Sequence, residues 1–187
     1  MDRPFLIGDK VYLRPLDLND VNQKYLNWVN DEDVIRNLAI TTPSTLEQLE
    51  SFVKSILDSS NFYFFAIIEK NTNLHIGNVK VGPINWTNRT SNYGLMLGEK
   101  SSWGKGYAQD AFKLIFKYSF ETLNLHKLWD VAKSSNIPSI KSLERAGVKI
   151  EATLKEHSFK GGKYEDAVIV SITAHEYFAF TDGSADS

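Results

Sequence analysis

The amino-acid sequence predicts a single mixed α/β (α+β) domain built on one sheet. Three observations carry this reading. The apolar periodicity switches between two and 3.6 along the chain, in the order strand, helices, three strands, helix, strand, helix, two strands. The 187 residues are 42% hydrophobic, enough to bury a core and most simply one domain. Neither an internal repeat nor a long linker interrupts them. The domain is therefore drawn at 1–180, with the small polar residues 181–187 read as a frayed tail.

Lys10-Val11-Tyr12-Leu13-Arg14 alternates polar and apolar, a first strand that Pro15 ends. Asp17 or Asn19 is placed to cap a helix carrying Val21, Tyr25, Trp28 and Val29, and Val34, Ile35 and Leu38 mark a short second piece. A third helix carries Leu46, Leu49, Phe52, Val53, Ile56 and Leu57 behind Ser44 or Thr45, with Ser44 and Glu47 spaced as a capping box. Phe62–Glu69 is aromatic and branched; His75–Val81 returns after the turn Asn71-Thr72-Asn73, completing a hairpin. Pro83–Arg89 reads as a loop carrying Trp86, Thr90–Leu97 as the next strand, and 106–123 as a long helix. Leu128–Ala132 is a short strand. Asn136 opens a helix with Pro138 in its first turn, and Gly147 closes it. Ile150–Phe159 and Tyr164–Thr173 form a terminal hairpin about Lys160-Gly161-Gly162-Lys163.

Composition removes several function classes. Without cysteine there is no disulfide framework, no thiolate nucleophile and no Cys-ligated metal. Four scattered histidines form no metal cluster, so no metal is expected. The net charge is −2 with basic and acidic residues mixed, so no block suits a nucleic-acid backbone. The N-terminal residues lack an apolar leader, and no run approaches a membrane span; a soluble, cytoplasmic protein is expected.

Trp103-Gly104-Lys105-Gly106-Tyr107-Ala108 closes a strand and opens a helix. Two glycines remove Cβ atoms where the backbone turns sharply or meets a ligand closely. The helix start behind them offers unpaired N–H groups and the positive end of its dipole, an arrangement that binds phosphate. A plain tight turn explains such a pair equally well when it stands alone.

It does not stand alone. With Tyr93-Gly94-Leu95-Met96-Leu97-Gly98-Glu99-Lys100 before it, and with Leu123-Asn124-Leu125-His126-Lys127-Leu128, Asn136-Ile137-Pro138-Ser139 and Leu143-Glu144-Arg145-Ala146-Gly147-Val148 after it, the chain resembles the GNAT family of N-acetyltransferases. The resemblance runs from Lys10 to Tyr177 and is nearest to the branch of ribosomal-protein N-terminal acetyltransferases and similar small-molecule enzymes. It implies a mostly antiparallel twisted sheet, splayed between its fourth and fifth strands, with helices on both faces. It implies acetyl-CoA as cofactor and CoA as product. Gly106 and Ala108 match the family's pyrophosphate loop, Gln/Arg-x-x-Gly-x-Gly/Ala, and Trp103 takes its leading position. By the resemblance, Gly104, Lys105, Gly106, Tyr107, Ala108 and Gln109 face the pyrophosphate, and Leu95, Met96 and Leu97 present backbone to the pantetheine arm. Asn136 either caps its helix or bonds that arm. Ser139 either serves the first helical turn or protonates the departing thiolate.

One departure stands out: the family's acid tyrosine, seven residues after the motif Asn, is Leu143 here. Ser139, a water, or Tyr164 from the hairpin is then the source of the proton. Acyl transfer to an amine needs a base, because a protonated amine has no lone pair. Glu99 is the first candidate, with Glu32, Asp33, Glu69, His126 and His157 as alternatives. The acceptor site is expected to draw on Trp28, Arg36, Trp86, Tyr93 and Tyr164. A protein N-terminus and a small amine (amino sugar, polyamine or aminoglycoside) both remain open as acceptors. A non-catalytic acyl-CoA-binding module and an RNA-binding or structural protein are the competing classes. The long hairpin is able to pair across a two-fold axis, and between monomer and homodimer the dimer is preferred.

Overall fold

The computed structural model describes residues 3–38, 40, 42–160 and 162–183. Eight strands form one sheet: β1 (Leu6–Ile7), β2 (Val11–Pro15), β3 (Tyr63–Glu69), β4 (His75–Asn85), β5 (Thr90–Leu97), β6 (Lys127–Lys133), β7 (Lys149–Lys160) and β8 (Lys163–Thr173). Their order across the sheet is β1-β2-β3-β4-β5-β6-β8-β7. Every neighbouring pair is antiparallel except β5 and β6. The helices are α1 (Gln23–Val29), α2 (Glu32–Ile35), α3 (Leu46–Leu57), α4 (Tyr107–Lys117), α5 (Ile137–Glu144) and α6 (Ala174–Thr181).

Strand alternation sends the sheet's apolar residues to two faces, and helices cover both. On one face Val11, Leu13, Val79, Val81 and Tyr93 pack with Ala111, Phe112, Ile115 and Phe116 of α4, Ile140 and Leu143 of α5, and Tyr177 of α6. On the other, Phe64, Ala66, Ile68 and Met96 pack with Tyr25, Trp28 and Val29 of α1 and Leu49, Val53 and Ile56 of α3. Both clusters are buried from solvent.

The architecture matches the expectation, and the differences have physical causes. Strand β1 is too short to show a period, and its pairing with β2 shifts the later strand numbers by one. Asp17 caps only a 3-10 turn, Leu18–Asp20, because Asp20 is drawn into a bidentate ion pair with Arg14 (2.7 and 2.6 Å); Asn22 therefore caps α1. The capping box of α3 is Thr45 with Gln48, since Ser44 is held at both its N–H and its carbonyl by the Asn30 amide. Pro83 does not end β4. A register shift between Val81 and Ile84 places the proline where its missing N–H leaves no gap in the ladder, and Ile84 donates to Asn61 instead. The long helix stops at Lys117 and continues as a wide π turn, Tyr118–Thr122, which sets Tyr118 among Phe5, Tyr63 and Phe65. Helix α6, capped by Thr173 with Glu176, was not expected. It takes in Thr181 of the supposed tail; 184–187, like Gly161 of the hairpin turn, lie outside the described residues.

The parallel pair is the feature that makes a site. Thr90, Ser91 and Asn92 of β5 stand opposite Lys127, Leu128 and Trp129 of β6, and there the pairing ends. The Asn92 side chain donates to the Trp129 carbonyl (3.3 Å) at this apex. Beyond it the two strands diverge, β5 staying with β4 and β6 with β8. This is the splay expected between the fourth and fifth strands.

Candidate active site

At the open end of the gap, α4 begins on Gly106, whose φ is +83°, and Gly104 lies two residues earlier at +74°. A Cβ on Gly104 would meet nothing within 4 Å, so the space over the loop is open. No side chain caps α4, and its first N–H groups face outward beside the positive end of the dipole. The residues fit a pyrophosphate: a bare main-chain surface, an uncapped helix start, and Lys10, whose Nζ lies against the Lys105 carbonyl (2.7 Å). Lys10, Gln109 and Lys113 line a shallow cleft beside Gly106. Tyr107 contributes only its main chain there, since its ring is in the core and its hydroxyl donates to Glu69. Glu69 is thereby occupied, and accepts from Thr72 as well.

The loop is held from below by Asp110. Its carboxylate accepts from the main-chain N–H groups of Asp9 (3.2 Å), Lys10 (2.7 Å) and Val11 (2.9 Å), tying the β1–β2 turn to the first turn of α4.

From that loop the gap runs back along β5. Successive residues of a strand direct their N–H and C=O groups to alternate edges. The Gly98 N–H bonds the Ile76 carbonyl, so Met96 and Gly94 face β4; on the other edge the Tyr93 N–H closes the last pair with β6, and the open edge runs from the Tyr93 carbonyl through Leu95 and Leu97. Met96 is thus a correction: its main chain belongs to the ladder and its side chain to the core. The Leu97 carbonyl accepts from the half-exposed Trp103 indole (2.9 Å), which gives that tryptophan a structural duty at the mouth. Tyr93 to Leu97 span about 13 Å of strand edge with no strand beside it.

Asn136 sits just beyond β6 and caps nothing with its side chain, which leaves its amide at the gap's far rim. Ser139 lies in the first turn of α5. Leu143 is 4% exposed and part of the core, so the position of the missing tyrosine is filled by packing. Segment α2 bridges the two arms of the gap: Lys100 reaches Asp31 and Asp33 (2.8 Å each) beside β5, and Lys133 of β6 reaches the Arg36 carbonyl (3.1 Å).

Several expected site residues stand elsewhere. The Tyr93 side chain is 3% exposed and meets Phe112 and Phe116 edge-on, so it is core and not acceptor wall. Trp28 is buried against His75, and a Cβ on Gly98 would strike its ring at 2.0 Å. Trp86, half-exposed, donates to Asn61 at the β4–β5 turn, the closed end of β5. Tyr164 is exposed at the hairpin tip, paired with the Phe159 ring. Arg36 pairs with Asp33, and the Lys100 ammonium holds the Asp33 carboxyl below the usual carboxylate range. Glu99 accepts from Ser101 (3.0 Å) and faces Lys24 at 3.8 Å. Among the described residues no group of three or more His, Asp and Glu side chains is placed to hold a metal.

The sequence reading missed Asp130. It follows the last paired residue of β6 and shares its face with Leu128 and Ala132, which pack in the core. Burial pushes its carboxyl up to about 6, against the opposing pull of the Val131 N–H and of Lys80. Lys80 comes from β4 across Gly94, where a Cβ would stand 3.6 Å from its Cε, and burial lowers its ammonium in turn. The signal was present in the sequence: an acid at the core parity of a strand whose neighbours at two-residue spacing are apolar.

A family model described as an acetyltransferase (GNAT) domain matches residues 10–149. An uncharacterized N-acetyltransferase, p20, of Bacillus licheniformis is 29% identical over 175 residues, 92% of this chain and 97% of that protein. The spermidine N(1)-acetyltransferase of Escherichia coli K12 is 28% identical over 171 residues, 90% of this chain and 89% of that enzyme. The crystal structure of the Vibrio cholerae spermidine N-acetyltransferase in complex with CoA and spermine superposes with a TM-score of 0.83 at 23% identity, over 90% of this chain and 98% of that one. These relatives correct the branch expected from the sequence: the similarity leads to spermidine acetyltransferases, not to the ribosomal-protein N-terminal acetyltransferases.

Proposed function

This chain belongs to the GNAT family of acetyl-CoA-dependent acetyltransferases, and we propose that its acceptor is a small polyamine-type amine, taken by direct attack in a ternary complex. One observation carries the reading: a single open strand edge leads from the glycine loop to the apex where β5 and β6 meet. When bound, acetyl-CoA supplies an acetyl group activated as a thioester. The chain's residues do the rest. Main-chain amides from Gly104 to Gln109 hold the pyrophosphate, and Lys10 and Lys113 add positive charge beside it. The edges of Leu97 and Leu95 and the Asn136 amide hold the pantetheine arm. The Leu95 N–H, the first on this edge of β5 beyond the last pair, is placed to donate to the acyl oxygen as negative charge gathers there. Bringing both reactants to the same apex contributes through proximity. With Leu143 buried, the Ser139 hydroxyl is the side chain from α5 that stands ready to protonate the departing sulfur.

A polyamine suits the rims of the gap, which carry Asp31 capping α2, Asp33 on it, Glu99 after β5, and Glu165, which accepts from Ser135 beyond β6. Among the described residues no helix is long and apolar enough to cross a membrane. The test is thiol release from acetyl-CoA against spermidine, spermine, aminoglycosides, nucleotide-linked amino sugars and Ala- or Ser-initiated peptides, with mass analysis of each product. Spermidine gaining one acetyl group, ahead of every peptide, is the expected result. Preferential acetylation of a peptide N-terminus would overturn the acceptor assignment while leaving the enzyme class intact.

A further inference from the structure

We propose that Asp130 is a catalytic residue of this enzyme, binding the acceptor's ammonium group at the apex of the gap and taking its proton. The proposal rests on the acetyltransfer reading above and adds the base that the reading lacks.

The apex is defined by the last pair, Asn92 with Trp129. Asp130 is the first β6 residue beyond it, level in register with Tyr93, whose N–H closes that pair. Its partner in register on the other side is Val170, an apolar neighbour in the core, and among the described residues no ion pair engages its carboxylate. The charged and titratable groups around it are Lys80 from β4 and Tyr93 from β5. The Tyr93 hydroxyl is buried without a hydrogen-bond partner among the described residues, a polar atom left over in the same region. Lys80 stands opposite Gly94 in the β4–β5 ladder and lies over it on the other face of the sheet. Four other acids near the gap are engaged. Asp31 and Asp33 hold Lys100, Glu99 holds Ser101, and Glu165 holds Ser135. Asp130 combines proton capacity with a place at the reacting end. Its raised proton affinity fits that work, since a base near the operating pH takes a proton and then returns it to water.

The step balances. The ammonium nitrogen gives one proton to an Asp130 oxygen, and its freed lone pair forms a bond to the acetyl carbon. The carbon–sulfur bond breaks and sulfur keeps the electron pair; the Ser139 hydroxyl gives the thiolate its proton and regains one, the nitrogen's second proton. Amide and CoA thiol result, and Asp130 releases its proton to solvent.

Asp130→Asn and Lys80→Met separate this role from a structural one. In cofactor-free protein labelled at aspartate carboxyls, carbon NMR should show one carboxyl titrating near pH 6, absent in Asp130→Asn and moved to higher pH in Lys80→Met. With spermidine, Asp130→Asn should lose about a hundredfold or more in kcat, lose the acidic limb of the pH–rate profile, and keep its thermal midpoint and its affinity for CoA. Lys80→Met should carry that limb upward with the carboxyl. An Asp130→Asn enzyme within threefold of the parent, with the limb in place, would overturn the proposal. So would an unmoved limb in Lys80→Met alongside a shifted carboxyl. If the unsubstituted protein acetylates no polyamine but does acetylate another amine, the acceptor assignment fails, and the same profiles measured on that amine still decide Asp130.

Discussion

Asp110→Asn perturbs the joint between the β1–β2 turn and the cofactor loop without removing bulk. The carboxylate accepts three main-chain N–H groups, two on Oδ2 and one on Oδ1, in a position 8% exposed. Asparagine keeps one acceptor oxygen and turns the other into a donor that faces an N–H. At least one amide then stays without an acceptor, at about 1–3 kcal/mol for a buried polar group, and the remaining bonds lose their charge assistance. The negative charge near the start of α4 contributes roughly 0.3–1 kcal/mol more, also lost. Together these come to about 3 kcal/mol, or a fall in the thermal midpoint of about 6–12 °C for a chain of this length. Differential scanning calorimetry gives that number. The same variant should raise the KM for acetyl-CoA, because the first turn of α4 is no longer held under Gly106. A midpoint lowered by less than about 2 °C would show that the three amides find water instead, and would refute the claim that Asp110 positions the loop.

Three further outcomes are expected. Asn136→Ala removes a side chain that caps nothing, so the midpoint should stay within about 2 °C while the KM for acetyl-CoA rises roughly tenfold; equal losses in both would make it a helix cap after all. Gly104→Ala meets no atom within 4 Å and costs only the left-handed backbone, about 1–2 kcal/mol, yet it plants a methyl in the phosphate surface; calorimetric titration with CoA should show binding weakened well beyond the loss in stability. Burial would raise Asp20, but the Arg14 hydrogen bonds, the Asp17 amide and the Arg14 charge outweigh it and hold the carboxyl below its ordinary 3.8. That stability is present above pH 3.8 and is lost as pH falls through the lower folded value. Asp20→Asn should therefore cost about 3 kcal/mol at neutral pH and flatten the acid limb of a urea-stability profile; an unchanged limb would remove the ion pair from the account.

Local signals were legible where one principle acted alone. Thr90–Leu97 was placed residue for residue because alternation, a preceding turn and a following glycine pair agree. The positive φ of Gly104 and Gly106 and the uncapped start of α4 followed from the same few residues. What the sequence hid was the result of pairing at a distance. Trp28 and Tyr93 looked like pocket walls because an aromatic residue reads the same on either side of a surface; only the packing against Gly98 and Phe112 assigns them to the core. Trp86 seemed functional because β4 was cut short at a proline that a register shift accommodates. Asp110 and Lys10, about a hundred residues apart in sequence, meet only once β2 lies beside α4. Asp130 sat in plain view in an apolar strand, but no local rule says that the neighbouring strand parts company one residue earlier.

The seam between β5 and β6 holds three residue pairs, against seven between β6 and β8. Two half-sheets are thus joined by a short hem, and on the face covered by α4 Tyr93 packs edge-on to Phe112 and Phe116, themselves stacked 5.8 Å apart. Thinning that stack should let the half-sheets shift about the hem and change the room left for an acyl tail. Acetyl and longer donors should be told apart by trimming those rings, so that donor choice in this enzyme is a question of carpentry below the floor and not of the furniture above it.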